Sequence, residues 1–76
     1  MKINKTLSAL KVGEKGKVSS LLCEGAIRRR LLDIGLVPGT VVLCVGKSPL
    51  GDPKAYVIRG KTIAIRSEDA KKIVIT

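Results

Sequence analysis

The chain has no histidine, no tryptophan and no phenylalanine, and Tyr56 is its one aromatic residue. Each absence removes a class of chemistry. Without imidazole, acid–base catalysis would fall to carboxylates or lysines, and no paired acids are spaced to share one face, so the chain is not expected to be an enzyme. Glu68 and Asp69 are adjacent and better placed to serve a helix start. The two cysteines, Cys23 and Cys44, form no CxxC pair and cannot complete a four-ligand zinc site. The two-histidine, one-acid set favoured by ferrous iron is likewise out of reach. A carboxylate set from Asp52, Glu68 and Asp69, or soft ligation by Cys23 and Cys44, is the remainder, although Cys44 lies mid-strand as a small buried hydrophobe would, and no metal ligand, cofactor or catalytic residue is assigned. Readers of single-stranded nucleic acid stack bases on aromatic side chains, and one tyrosine is too few, so no specific nucleic acid is expected. Lys or Arg interrupts every apolar run well short of the ~18 residues needed to span a bilayer.

What is present is a chain of 76 residues, 45% hydrophobic, with 15 Lys and Arg against six Asp and Glu and a net charge of +9. That length fits one small domain over 1–76, with a core of Val, Ile, Leu and Ala. Two lone cysteines and an opening without an apolar signal segment point to the reducing cytoplasm. The positive field should draw the chain toward phosphates, anionic headgroups or an acidic protein surface. Its bland alternative is a surface kept soluble by charge.

Local patterns divide the chain. Thr6 is placed to cap one turn carrying Leu7 and Leu10, and Lys17 to Leu22 reads as a strand with Val18, Ser20 and Leu22 on one side. From Glu24 to Ile34 the period changes. Ile27, Leu31 and Ile34 make a helical stripe, and Gly35, Leu36 and Pro38 supply a left-handed stop, an apolar contact to Leu31 and a block to continuation. Pro38 and Gly39 suit the centre of a type II turn.

Thr40 to Lys47 is apolar on both sides, as expected of the most enclosed strand at the centre of a sheet. Ser48 to Pro53 is a loop by composition. Ala55 to Ile58 and Lys61 to Arg66 then pair as a hairpin across Arg59 and Gly60, with Ile63 and Ile65 inward. Ser67 is placed to cap a last turn, and Ile73 to Ile75 closes the chain as a short strand. About five short strands, one inserted helix and short terminal helical turns make a mainly β fold. A small, strongly bent barrel buries an aliphatic face on so little chain.

Leu7, Leu10, Gly13, Gly16 and Val18, then RRRLLDIGLVPGT from Arg28 to Thr40, PLGDPKAYVIRGKTIAIR from Pro49 to Arg66, and Asp69, Ala70 and Ile73 stand in an order and spacing that resembles the ferrous iron transport protein A (FeoA) family. The resemblance covers nearly the whole chain. It implies a Src-homology-3-like barrel serving ferrous iron uptake in a prokaryotic cytoplasm. The implied partner is the family's inner-membrane transporter, FeoB, through its cytosolic GTP-binding domain. The same module resembles the C-terminal domain of metalloregulators, so the alternative is a stand-alone regulatory module acting through protein contacts, with or without a transition metal ion.

Candidate partner contacts follow. Arg28, Arg29 and Arg30 are three consecutive cations on the helix, suited to an acidic patch, although steps of about 100° keep them from forming one flat surface. Their plain alternative is a solvated face. Leu32 lies about 140° from Ile27, off the buried stripe, and is available to a partner unless the barrel clasps the helix from two sides. Pro49, Leu50 and Asp52 lie in a proline-stiffened loop that borders the usual groove of such barrels, next to Tyr56. Monomer or weak edge-to-edge self-association is expected.

Overall fold

The structure, a computed structural model, describes residues 5–76. Chain order is β1 (Lys5–Thr6), a 3-10 turn (Leu7–Ala9), β2 (Lys15–Leu21), α1 (Gly25–Asp33), β3 (Val41–Lys47), β4 (Lys54–Ile58), β5 (Lys61–Ile65), α2 (Ser67–Ala70) and β6 (Ile73–Ile75). All neighbouring strands are antiparallel, in the order β1-β6-β2-β3-β4-β5. Strand β2 belongs to two leaves. It pairs with β6 on one side and β3 on the other, with irregularities in register at Val18/Ser20 and Cys44/Gly46. Such bulges sharpen twist and let short strands fold around one core. The sixth strand, β1, is two residues long, too short to leave an alternating pattern in the sequence.

Helix α1 ends where its residues require. Gly35 takes a φ of 103°, the Leu36 N–H donates to the Leu31 carbonyl and the Gly35 N–H to the Leu32 carbonyl, both at 3.0 Å. This is the paired closure of a Schellman motif, and Leu36 and Leu31 are both buried in the core. The next turn closes from the Thr40 N–H to the Val37 carbonyl at 3.0 Å, with Gly39 at φ 96°. Chain reversal into β3 thus follows from local chemistry alone.

The core is not purely aliphatic. Tyr56 is its largest fully buried side chain, packed with Leu7, Leu10, Leu36, Val42, Ile58 and Ile73. Alternation on β4 points Tyr56 and Ile58 inward together, so the one aromatic fills the volume that short aliphatics would leave open.

Four further expectations are corrected. The Val18/Ser20 bulge breaks the alternation on β2, and Leu22, beyond the strand end, is 63% exposed. Strand β3 is central between β2 and β4 yet open on its outer face, where Val41 and Val45 are exposed. On α1 the stripe is buried only at Leu31; Ile34 is half-buried and Ile27 is 38% exposed. Neither Thr6 nor Ser67 caps through its side chain: the Thr6 hydroxyl bonds Ser8, and the Ser67 N–H is taken by Asp52.

Candidate docking face

The three arginines of α1 are all exposed, and their helical spacing divides them between two surfaces. Arg28 and Arg29 lie with half-buried Leu32 and with Asp33 around a shallow depression on the outer side of the helix. The Arg28 guanidinium also donates to the Leu21 carbonyl at 3.4 Å, which ties the helix to the end of β2. Arg30 turns the other way. It borders a groove of about 320 Å³ between α1 and β5, floored by Leu31, Ile34, Ile63 and Ile65, with Pro53 and Arg66 at its margins.

Loop 48–53 is ordered by its own hydrogen bonds. The Ser48 N–H donates to the Pro53 carbonyl (3.1 Å), the Ser48 hydroxyl to the Asp52 carbonyl (2.7 Å) and the Gly51 N–H to the Ser48 carbonyl (2.8 Å). Pro49 is exposed and Leu50 is 94% exposed at the tip, an apolar side chain presented on a closed loop. Asp52 is exposed too, but one carboxylate oxygen accepts the Ser67 N–H, giving the side chain a structural partner at the start of α2.

Tyr56 leaves the surface altogether. Its ring is fully buried and its hydroxyl donates to the Leu7 carbonyl at 3.4 Å, so it is a core residue and not a partner contact. Burial pushes the phenol up to about 12, with the neighbouring Cys44 and Asp52 adding smaller effects of the same sign. Glu14 shifts the other way. Its carboxylate accepts the Lys11 N–H at 2.7 Å, which lowers its pKa.

Some of the relevant residues carried no sequence signal. Lys54 on β4 reaches across to the Ser8 and Leu10 carbonyls at 2.8 and 2.9 Å, stapling the opening turn to the hairpin. Ile63, Ala64 and Arg66 join α1 in the groove only because β5 ends the sheet. Among the described residues no three Cys, Asp or Glu converge as a metal-ligand set, and both cysteines are buried and unpaired. Among the described residues no helix is long and apolar enough to cross a membrane.

These features define a small basic barrel of the Src-homology-3-like kind, with Arg28, Arg29, Arg30 and Arg66 exposed on or beside its helix α1. Residues 5–76 match the FeoA domain model, and the chain belongs to the FeoA family, a family of transport accessory domains. A Porphyromonas gingivalis protein, the Fe(2+) transport protein A/Fe(2+) transporter FeoB fusion protein, is 35% identical over 69 residues, which are 91% of this chain and 8% of that protein. The chain therefore matches only a small part of that relative's length. The solution structure of a FeoA protein from Chlorobium tepidum superposes with a TM-score of 0.88 at 38% identity, covering 93% of this chain and 68% of that one. Stenotrophomonas maltophilia FeoA, solved in complex with zinc and described as a prokaryotic SH3 domain protein, gives 0.84 at 33% identity, covering 95% and 89%. A manganese-dependent transcriptional repressor shares the fold at 18% identity, with a TM-score of 0.86 over all of this chain and 37% of that one.

Proposed function

We propose that this chain is a cytoplasmic accessory protein of ferrous iron uptake that docks on the cytosolic GTP-binding region of a FeoB-type transporter and adjusts its assembly or activity. The observation that carries this reading is the Porphyromonas gingivalis fusion, in which a domain 35% identical to this chain is continuous with a FeoB transporter. Covalent linkage raises effective concentration, so a module that is tethered in one protein and free in another is suited to meeting the same partner. The surface supports the reading chemically. Arg28, Arg29, Arg30 and Leu32 combine cations with an apolar contact, and Leu50 with Pro49 presents a second apolar point beside Asp52. An acidic face on the partner would be steered by the net charge of +9 and held by guanidinium–carboxylate pairs.

The test is a titration of isotope-labelled protein with the soluble cytosolic region of a FeoB-type transporter, in GDP and GTP-analogue forms. Amide shifts on α1 and loop 48–53 are the expected result, and a difference between nucleotides would identify regulation. Absence of any shift at high concentration would overturn the reading.

A further inference from the structure

The strand order leaves β5 at one end of the sheet, with β4 as its single neighbour among the described residues. The hairpin between them turns on Arg59 and Gly60, both at positive φ (51° and 84°), and sets Ile58 opposite Lys61. A two-residue turn of this kind closes on a mutually hydrogen-bonded pair, so Lys61, Ile63 and Ile65 direct their backbone groups at β4. Thr62 and Ala64 therefore turn N–H and C=O outward, and both residues are exposed. This edge runs beside the groove against α1, where the core is incompletely covered: Ile27 is exposed, and Ile34 and Ile63 are half-buried. Arg30 and Arg66 stand on its rim against one acid, Asp69.

We propose that the β5 edge and its groove take up an extended segment of a protein partner in which apolar residues alternate with carboxylates. The segment adds as a seventh strand to the Thr62 and Ala64 backbone, its apolar side chains covering Ile34 and Ile63 and its acids meeting Arg30 and Arg66. Three features converge on that ligand. Unpaired edge groups bind any extended backbone, the groove selects apolar side chains on one face, and the arginines select the charge. Charge also decides against a second copy of this chain. Antiparallel pairing of two β5 edges would bring Lys61 of one toward Arg66 of the other, between molecules that each carry +9. This inference rests on the reading of the chain as a module that docks on protein, and it names the mode and the chemistry of the docked segment.

The test uses the full labelled chain and two probes: a capped peptide of about eight residues alternating glutamate and valine, and the transporter's cytosolic region. The acidic peptide should shift the amides of β5 and α1 and slow hydrogen exchange at Thr62 and Ala64 about tenfold or more, while a lysine–valine counterpart leaves them unchanged. Arg30→Glu and Arg66→Glu should each weaken peptide binding about fivefold to tenfold. Ala64→Pro removes an outward N–H without touching the ladder to β4 and should abolish binding. The arginine variants carry the test should the proline variant fail to fold. Unchanged exchange at Thr62 and Ala64 with saturating acidic peptide overturns the inference. So does transporter binding that leaves those amides unprotected, and in that case the docking reading stands. Peptide capture at β5 without any transporter binding upholds the edge site and overturns the docking reading.

Discussion

The carboxylate of Asp52 accepts the backbone N–H of Ser67 at 2.7 Å, joining residues 15 apart in sequence. Loop 48–53 is thereby fastened to the start of α2, the helix whose Ala70 reaches the core. Asp52→Ala should cost about 1 kcal/mol, the usual value of a lost helix-start acceptor, and speed hydrogen exchange at the Ser67 amide. Asp52→Asn keeps an oxygen there and should recover most of the loss in urea unfolding.

Tyr56 should titrate late. In the folded chain its phenol is pushed up to about 12, whereas in the unfolded chain it loses its proton near 10. The stability tied to the neutral phenol is complete below pH 10 and is lost as pH rises from 10 toward 12, because only the unfolded state ionises in that window. Tyrosinate absorbance followed through an alkaline titration checks the midpoint. Tyr56→Phe should remove that part of the alkaline loss, at a cost of about 1 kcal/mol or less for one long hydrogen bond. Tyr56→Ala should cost about 3–5 kcal/mol by opening the core.

Lys54→Met keeps the aliphatic stem of the side chain and removes two charge-assisted bonds to the Ser8 and Leu10 carbonyls. A destabilisation of about 1–3 kcal/mol is expected from denaturant midpoints, with faster amide exchange concentrated in the opening turn and β1.

Gly35→Ala should destabilise the chain by about 1–2 kcal/mol or more. The residue sits at φ 103°, and an added Cβ would meet the Arg59 side chain. By contrast Ala26→Ser, at an exposed position of α1, should stay within about 0.5 kcal/mol.

Arg28→Glu together with Arg29→Glu should lower affinity for the transporter's cytosolic region about tenfold or more and flatten its salt dependence, at a cost in stability of about 1 kcal/mol or less for the lost Arg28–Leu21 bond. Equal affinity in the double variant would move the contact off the outer side of α1.

The end of α1, the Val37–Thr40 turn and the β4–β5 hairpin were legible because each is decided within six residues or fewer. Gly35 and Gly39 supply the backbone angles, Pro38 blocks the helix, and Leu36 returns to Leu31. The exposed arginines and the open Leu50 were legible for the same reason, since charge and loop composition are local. Tyr56 was not. Its place depends on which face of β4 looks inward, and that is settled by pairing with β3 and by the Leu7 turn lying 49 residues away.

Composition, charge and local turn chemistry thus determined that this protein is a small basic β barrel with one inserted helix and short helical turns, without histidine chemistry. Tertiary structure alone decided that Asp52 faces Ser67, that Lys54 staples the opening turn, and that β5 is left as an edge beside Ile34, Arg30 and Arg66. The physical reason is the range of the interactions. A turn or cap is set by the dihedral angles of a few adjacent residues, whereas an edge, a groove or a buried tyrosine exists only once distant strands have chosen their neighbours.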